Sequence, residues 1–223
     1  MLFTQESDTF VPKALVQDEL FLSVGRQNPK DGTFIFLRSD LWEPDYEVIP
    51  VDEYKENGCM NVIMATRKDT GQKFLLASCH GHSTKPEDGR HQITLIMEIY
   101  NEMSKHEKNL QLLIGTDANT KRKPDEDKFR EHLDLLGLMA TDVGTTTVKR
   151  RMETVQHDKA GRYATDQEDY LVTLKPENGG QFQFEDLSVS FKPLGDVDMS
   201  MPLPNIDNLS DHYPVGARLS QLN

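Results

Sequence analysis

The sequence predicts an α+β fold in which two packed sheets of mainly antiparallel strands are flanked by helices. Three observations predict it. Short apolar runs bounded by turn residues outnumber the helical segments. Only two stretches repeat apolar residues at three- and four-residue steps. Two neighbouring apolar runs are joined by a turn short enough to fold them into a hairpin.

The elements follow in order. Leu2-Phe3-Thr4 reads as the end of a buried strand running into the polar pair Gln5-Glu6. After the turn signal Asn28-Pro29-Lys30-Asp31-Gly32, Thr33-Phe34-Ile35-Phe36-Leu37 is a strand. Asn61 to Arg67 and Lys73 to Cys79 flank Asp69-Thr70-Gly71-Gln72 and form the hairpin. Between Asp88 and Ser104, Ile93, Ile96, Met97, Tyr100 and Met103 make the apolar stripe of a helix that packs one face on a sheet. Gln111 to Gly115 is a buried strand. A second helix from Asp125 to Leu136 carries Phe129 and Leu133 and stops at Gly137, a residue suited to the left-handed turn that ends helices. Tyr170 to Leu174, Leu187 to Phe191 and Pro214 to Leu219 are the later strands. The stretch Asp142 to Gln167 reads as a long loop, basic at Lys149-Arg150-Arg151. There is no internal repeat and no low-complexity tract, so the expectation is a single domain over residues 1–223.

Composition limits the function. With 223 residues, 36% of them hydrophobic, the chain is long enough to bury a core. The 28% charged fraction and mean hydropathy of −0.60 give a very polar exterior. No window approaches the roughly 18 apolar residues of a membrane span, so stable membrane insertion is not expected. The net charge of −12 argues against nonspecific attraction to nucleic acid, so any phosphate must be met locally. Cys59 and Cys79 are too few for a disulfide framework or a zinc site of their own, and they fit a reducing compartment. The cytoplasm is the favoured location, although no address is visible, and no obligate protein partner is evident.

Four polar clusters stand at strand ends: Gln5-Glu6, Cys79-His80-Gly81-His82-Ser83, Asp117-Ala118-Asn119 and Ser210-Asp211-His212. Each alone also fits an ordinary role as a turn former, a cap or a surface charge. Together they supply carboxylates, an amide and imidazoles that rigid strand ends could aim into one cleft. Oxygen donors with histidines and no cysteine pair suit Mg2+ or Mn2+. A phosphate ester needs such an ion, a group to activate water, and donors for the charge that develops.

The motifs resemble those of the endonuclease/exonuclease/phosphatase superfamily, with its deoxyribonuclease I-like fold. Gln5-Glu6 resembles that family's Gln-Glu metal strand, and Gly115-Thr116-Asp117-Ala118-Asn119 its Gly-Asp-X-Asn strand end. Ser210-Asp211-His212-Tyr213-Pro214-Val215 is similar to its terminal Ser-Asp-His-X-Pro-Val motif. Phe34 to Arg38, Arg90 with Gln92, and Asp169-Tyr170-Leu171 add supporting matches, so the resemblance spans nearly the whole chain. It implies a four-layer α/β/β/α sandwich of two mixed, mainly antiparallel sheets. It further implies that Glu6 and Asp211 hold Mg2+ or Mn2+, and that His212 is the catalytic imidazole, oriented by Asp169. Asp117 and Asn119 would position water and the scissile phosphate, and His80 would donate to a phosphate oxygen. Register favours His80 over His82, and Asp166 is the alternative partner for His212. Two features depart from the family: its first strand, which bears a metal-site Asn, and the helix after it have no counterpart before Gln5, and Gln167-Glu168 stands where a basic residue commonly precedes the aspartate.

Among subclasses, the inositol polyphosphate phosphatase signature is absent at Ala164 to Tyr170, and the abasic-site endonuclease motif is absent at Ser78 to His82. Lys121-Arg122-Lys123 and Lys149-Arg150-Arg151 offer contacts to a nucleic-acid backbone, or else balance an acidic protein as solvated charges. With a single tryptophan, Trp42, a membrane-reading loop is less evident. The reading is a metal-dependent phosphodiesterase, foremost a nuclease. The alternatives are a lipid or other phosphoester hydrolase of the same superfamily and a catalytically impaired binding remnant.

Overall fold

The computed structural model describes residues 1–5, 20–26, 32–45, 59–82, 84–150, 163–189, 192–193, 212 and 214–222. Its strands are β1 (Leu2–Thr4), β2 (Phe21–Arg26), β3 (Thr33–Arg38), β4 (Trp42–Asp45), β5 (Cys59–Arg67), β6 (Lys73–His80) and β7 (Gln111–Asp117). The later strands are β8 (Leu138–Ala140), β9 (Thr147–Arg150), β10 (Tyr163–Asp166), β11 (Asp169–Leu174), β12 (Phe182–Val189), β13 (Lys192–Pro193) and β14 (Val215–Gln221). Two helices, α1 (Pro86–Ser104) and α2 (Lys123–Leu135), lie between β6 and β8.

A six-stranded sheet of order β4-β5-β6-β7-β11-β8 is the centre of the molecule. All its pairings are antiparallel except β6 with β7. That exception follows from connectivity, because α1 carries the chain back over the sheet and two parallel strands need such a crossover. The hairpin of β5 and β6 closes through Gly71, whose φ of +68° belongs to the left-handed region. The two inner strands β6 and β7 are buried almost throughout, as strands covered on both faces must be.

One face of this sheet is covered by the helices. Ile93, Ile96 and Met97 of α1 and Phe129 and Leu133 of α2 pack on Leu75, Ala77, Leu112, Ile114 and Val172. The helical stripe read from the sequence is therefore the buried stripe. The other face meets two three-stranded sheets, β1-β3-β2 and β13-β12-β14. Ile35, Leu37, Phe182 and the partly buried Phe3 and Leu219 pack there on Phe74, Leu76 and Leu113. This gives the helix, sheet and sheet layers of the α/β/β/α sandwich; an outer helical layer would fall outside the described residues.

Strands that the sequence did not announce are present at β2, β4, β8 and the short β13. The stretch from Asp142 to Gln167 is also not simply a loop. It contributes β9 and β10, paired antiparallel from Thr147 with Asp166 to Arg150 with Tyr163. Their mixed polar sequences have no clean two-residue alternation, and apart from a single bridge from Thr147 to His212 the ribbon pairs only with itself among the described residues. The strand expected from Leu187 to Phe191 begins earlier, at Phe182, and bends at an irregularity between Glu185 and Ser188. Gly137 ends α2 as expected, with φ of +71°.

Candidate active site

Register assembles the site. In the parallel pair, His80 at the end of β6 lies opposite Asp117 at the end of β7. On the other side of β7, Asp169 at the start of β11 lies opposite the same Asp117. Cross-strand partners project to one face of a sheet, so three neighbouring strands deliver an imidazole and two carboxylates to one place. His80 Nε2 is 3.5 Å from Asp117 Oδ2. Gln92 in α1 fastens this strand end by donating from Nε2 to the His80 carbonyl at 2.9 Å.

His212 joins from the far end of the sequence. Its backbone forms a single antiparallel bridge with Thr147 at the start of β9. Its Nδ1 is 2.8 Å from Asp169 Oδ2, and its Nε2 is 3.8 Å from Asp117 Oδ2. The Asp169 carboxylate accepts from Nδ1–H, so the tautomer is fixed with Nε2 as the basic nitrogen. Asp169 is therefore the carboxylate in contact with the ring, while Asp166 lies at the end of β10 with its carbonyl accepting from Thr146 N.

Asn119 sits in the turn after β7 with φ of +51°, a conformation Asn tolerates better than most residues. Its backbone N–H donates to Asp117 Oδ1 at 2.9 Å and its Nδ2 donates to the Gly81 carbonyl at 2.7 Å. Gly81, Gly89 and Ala118 make this possible. A Cβ on Gly89 would lie 3.0 Å from the Ala118 carbonyl, and one on Gly81 would lie 3.1 Å from Gly89. The loops after β6 and β7 and the first turn of α1 are thus in backbone contact, drawing His80 and Asn119 together.

Asp117 is 4% exposed, and its carboxyl is pushed up to about 7. Burial is the largest cause, and the negative charge of Asp169 adds to it; His212 and His80 oppose the rise and Glu168 reinforces it. Cys79, wholly buried one residue before His80, has its thiol pushed up to about 12 by burial and is not a reactive group.

Of the residues singled out in the sequence, His80, Asp117, Asn119, Asp169 and His212 come together. Glu6 and Asp211 lie outside the described residues. Gln5, next to Glu6, anchors that strand end by donating from Nε2 to Ser78 Oγ at 3.0 Å and to the Gly115 carbonyl at 3.2 Å. His82 stands apart on an exposed turn, its Nδ1 accepting from the Thr84 backbone N–H at 3.2 Å. The basic run after Asn119 is largely engaged by acids of α2, because Arg122 pairs with Asp125 at 3.0 Å and Lys123 with Asp127 at 3.1 Å.

Sequence reasoning missed Glu168, Thr146 and Thr147. Glu168 is 1% exposed, and its Oε1 accepts from Thr147 Oγ1 at 3.1 Å. Thr146 Oγ1 accepts from the backbone N–H groups of Glu168 at 2.9 Å and Asp169 at 3.1 Å. Ligand atoms of Asp117, Glu168 and His212 all lie within 4.8 Å of one another. The departure at Gln167-Glu168 was the available signal, although only the fold shows that this acid faces inward.

No protein-family profile and no curated protein matches the sequence. Similar solved structures do exist. TDP2 of D. rerio, complexed with a single-strand DNA product, superposes with a TM-score of 0.65 at 12% identity, covering 98% of this chain and 85% of that one. The human Nocturnin catalytic domain with bound sulfate gives 0.63 at 14% identity, over 99% and 80% of the two chains. An endonuclease/exonuclease/phosphatase from Bacteroides vulgatus gives 0.60 at 14% identity, over 99% and 84%. At these identities the likeness concerns the fold, and it agrees with the strand order and layers described above. The chain has the deoxyribonuclease I-like fold, that of the endonuclease/exonuclease/phosphatase proteins whose motifs its sequence resembles.

Proposed function

We propose that residues 1–223 form one catalytic unit, a metal-dependent phosphoester hydrolase whose foremost substrate is a nucleic-acid phosphodiester. The observation that carries this reading is the 2.8 Å contact of His212 Nδ1 with Asp169 beside the buried Asp117. A carboxylate behind an imidazole fixes the ring and stabilises it when it gains a proton. His212 Nε2 takes the proton of the attacking water, and Asp169 holds the ring for that task. Asn119 has one amide hydrogen committed to Gly81, and its Oδ1 orients the water together with Asp117. His80 donates to a phosphate oxygen. Hydrolysis is then a single displacement with no covalent intermediate.

The donor set fits a divalent cation, since the buried carboxylates of Asp117 and Glu168 bring oxygen donors within 4.8 Å of each other beside His212. Glu6 and Asp211 are the residues proposed to hold Mg2+ or Mn2+. When bound, that ion neutralises charge on the phosphate. The TDP2 relative was solved with a DNA product, which supports the nucleic-acid reading. The pairing of Arg122 and Lys123 with acids of α2 favours a second reading, a small phosphoester in place of a polymer. A relative from Bacteroides thetaiotaomicron is described as a mannosyl-6-phosphatase (TM-score 0.54, 16% identity, over 90% of this chain and 76% of that one).

The test is hydrolysis by the purified chain in Mg2+, with single-stranded DNA, RNA, poly(A), sphingomyelin, inositol phosphates and sugar phosphates as substrates. Cleavage of one nucleic acid that is lost on His212→Ala supports the first reading. Turnover of only the small phosphates supports the second. A folded chain inert on all of them overturns both in favour of a binding remnant.

A further inference from the structure

We propose that Arg130 of α2 is a positioning residue for His212, a clamp reaching from the helix layer to the two segments that hold the imidazole. The role presupposes His212 as the base of the proposed reaction, and it gives Arg130 no contact with substrate.

His212 is held at two described points. Its ring lies on Asp169, and its backbone bridges Thr147. These points belong to separate segments, one entering β11 and the other leading from β8 into β9. The angle of the ring therefore depends on how the two segments sit against each other. Arg130 touches both. Its Nη2 donates to Gln167 Oε1 at 3.0 Å, just ahead of Asp169, and lies 3.3 Å from Asp142 Oδ1, on the segment that leads to Thr147.

Each end of the clamp is anchored. Nε donates to Glu126 Oε1 at 2.9 Å, one turn earlier on α2. The guanidinium stands 5.6 Å from the centre of the Tyr170 ring, whose face attracts a cation. Phe129, the residue before Arg130, packs against that same ring with centroids 4.9 Å apart. On the far side Gln167 is buried and donates from Nε2 to the Thr141 carbonyl at 3.1 Å. Its own carbonyl accepts from the hydroxyls of Thr120 and Tyr170. Thr146 carries the tie inward: its N–H donates to the Asp166 carbonyl, and its Oγ1 accepts from the Asp169 N–H. A displacement of Gln167 is thus passed to Asp169 and from there to the ring. The three acceptors, on Glu126, Gln167 and Asp142, are spread around a planar fork of donors, a geometry that arginine supplies and lysine does not.

Arg130 is half-buried and Asp142 is exposed, so these contacts add little to stability. Rate is more sensitive, because misplacing a reacting group by ~1 Å costs about 10²-fold. Removing the guanidinium should therefore slow the reaction in a chain that remains folded.

The experiment compares wild type, Arg130→Met and Glu126→Gln, with circular dichroism to verify folding. Proton NMR of the full chain in EDTA follows the His212 Nδ1–H, identified by its absence in His212→Ala, and steady-state kinetics in Mg2+ use whichever phosphoester the wild type cleaves. Arg130→Met should exchange that proton with water at least about 10-fold faster, and should lower kcat by about 10- to 100-fold with KM unchanged. Glu126→Gln removes one anchor of Arg130 and leaves both of its arms in place, so it should match wild type in both measurements. Wild-type exchange or wild-type kcat in Arg130→Met, a change confined to KM, or equal acceleration in Glu126→Gln overturns the proposal, as does a wild type whose Nδ1–H is unprotected. Should Arg130→Met fail to fold, Arg130→Lys decides the matter: it keeps the charge without the fork and should still speed the exchange, and wild-type exchange there overturns the proposal. Inertness of the wild type on every phosphoester would sink the proposed reaction and leave the proton-exchange results to decide the role of Arg130.

Discussion

Replacing His212 with Ala should lower the hydrolysis rate by about 10² to 10⁴, because a positioned imidazole contributes on that order. Stability should hardly change, since the ring is half-buried at a single bridge to β9, outside the two apolar clusters. Single-turnover kinetics and urea unfolding on the same preparation would check the separation, and a variant with full rate would refute the role of His212. Asp117 has the opposite balance. Its carboxyl is raised in the fold to about 7 from an ordinary 3.8, so the folded state holds the proton more tightly than the unfolded chain. Stability from this group is present below the unfolded value and is lost as pH rises through the folded one. Asp117→Asn should therefore unfold at higher urea than wild type at pH 8 in EDTA, by about 1–3 kcal/mol, and the gap should close toward pH 4. The same variant should lose activity. Urea curves at several pH values would test this, and a gap that widens on acidification would contradict it.

At the scale of elements, β1 and β7 are locked together at Gly115. A Cβ there would lie 2.4 Å from the Cβ and Cγ of Phe3, so only glycine lets the β1 side chain seat on the central sheet. Gly115→Ala should destabilise the protein by about 1–3 kcal/mol through overpacking. Adding Phe3→Ala should cost less than the sum of the two single changes, because the methyl then fills the space the ring vacated. Denaturant unfolding of the four members of this cycle reads the coupling, and strict additivity would mean that the two residues do not meet. Glycine followed by Thr116-Asp117 was visible in the sequence as a motif. Its physical reason, the ring of Phe3 more than a hundred residues away, was not, because the sequence carries no record of which strand crosses which.

At the scale of the molecule, the proposed ion should separate from the proposed base. EDTA should abolish hydrolysis, and Mg2+ should restore it. Glu6→Gln should require more metal for half-maximal rate and recover in part at high metal concentration, since it removes a ligand charge and leaves the imidazole. A metal titration of the rate distinguishes this from the loss at His212→Ala, which no metal concentration should repair. Activity unaffected by EDTA would end the metal-dependent reading.

The sequence by itself determined the class of fold, the two helices with their buried stripes, the hairpin through Gly71 and the polar clusters at strand ends. These are local signals: a period of two or of 3.6, a turn residue, a carboxylate after an apolar run. It also picked His80 over His82, through the register of the strand that carries it. Tertiary structure decided what no period encodes. It paired Asp117 with His80 on one side and Asp169 on the other, brought His212 from the far end of the chain onto Asp169, the partner its motif implied, and built a ribbon from a segment that read as a loop. It also turned Glu168 inward, where a strand end in isolation would leave an acid in water. Each of these is a contact between residues distant in the chain, fixed by which strands lie side by side and in what register.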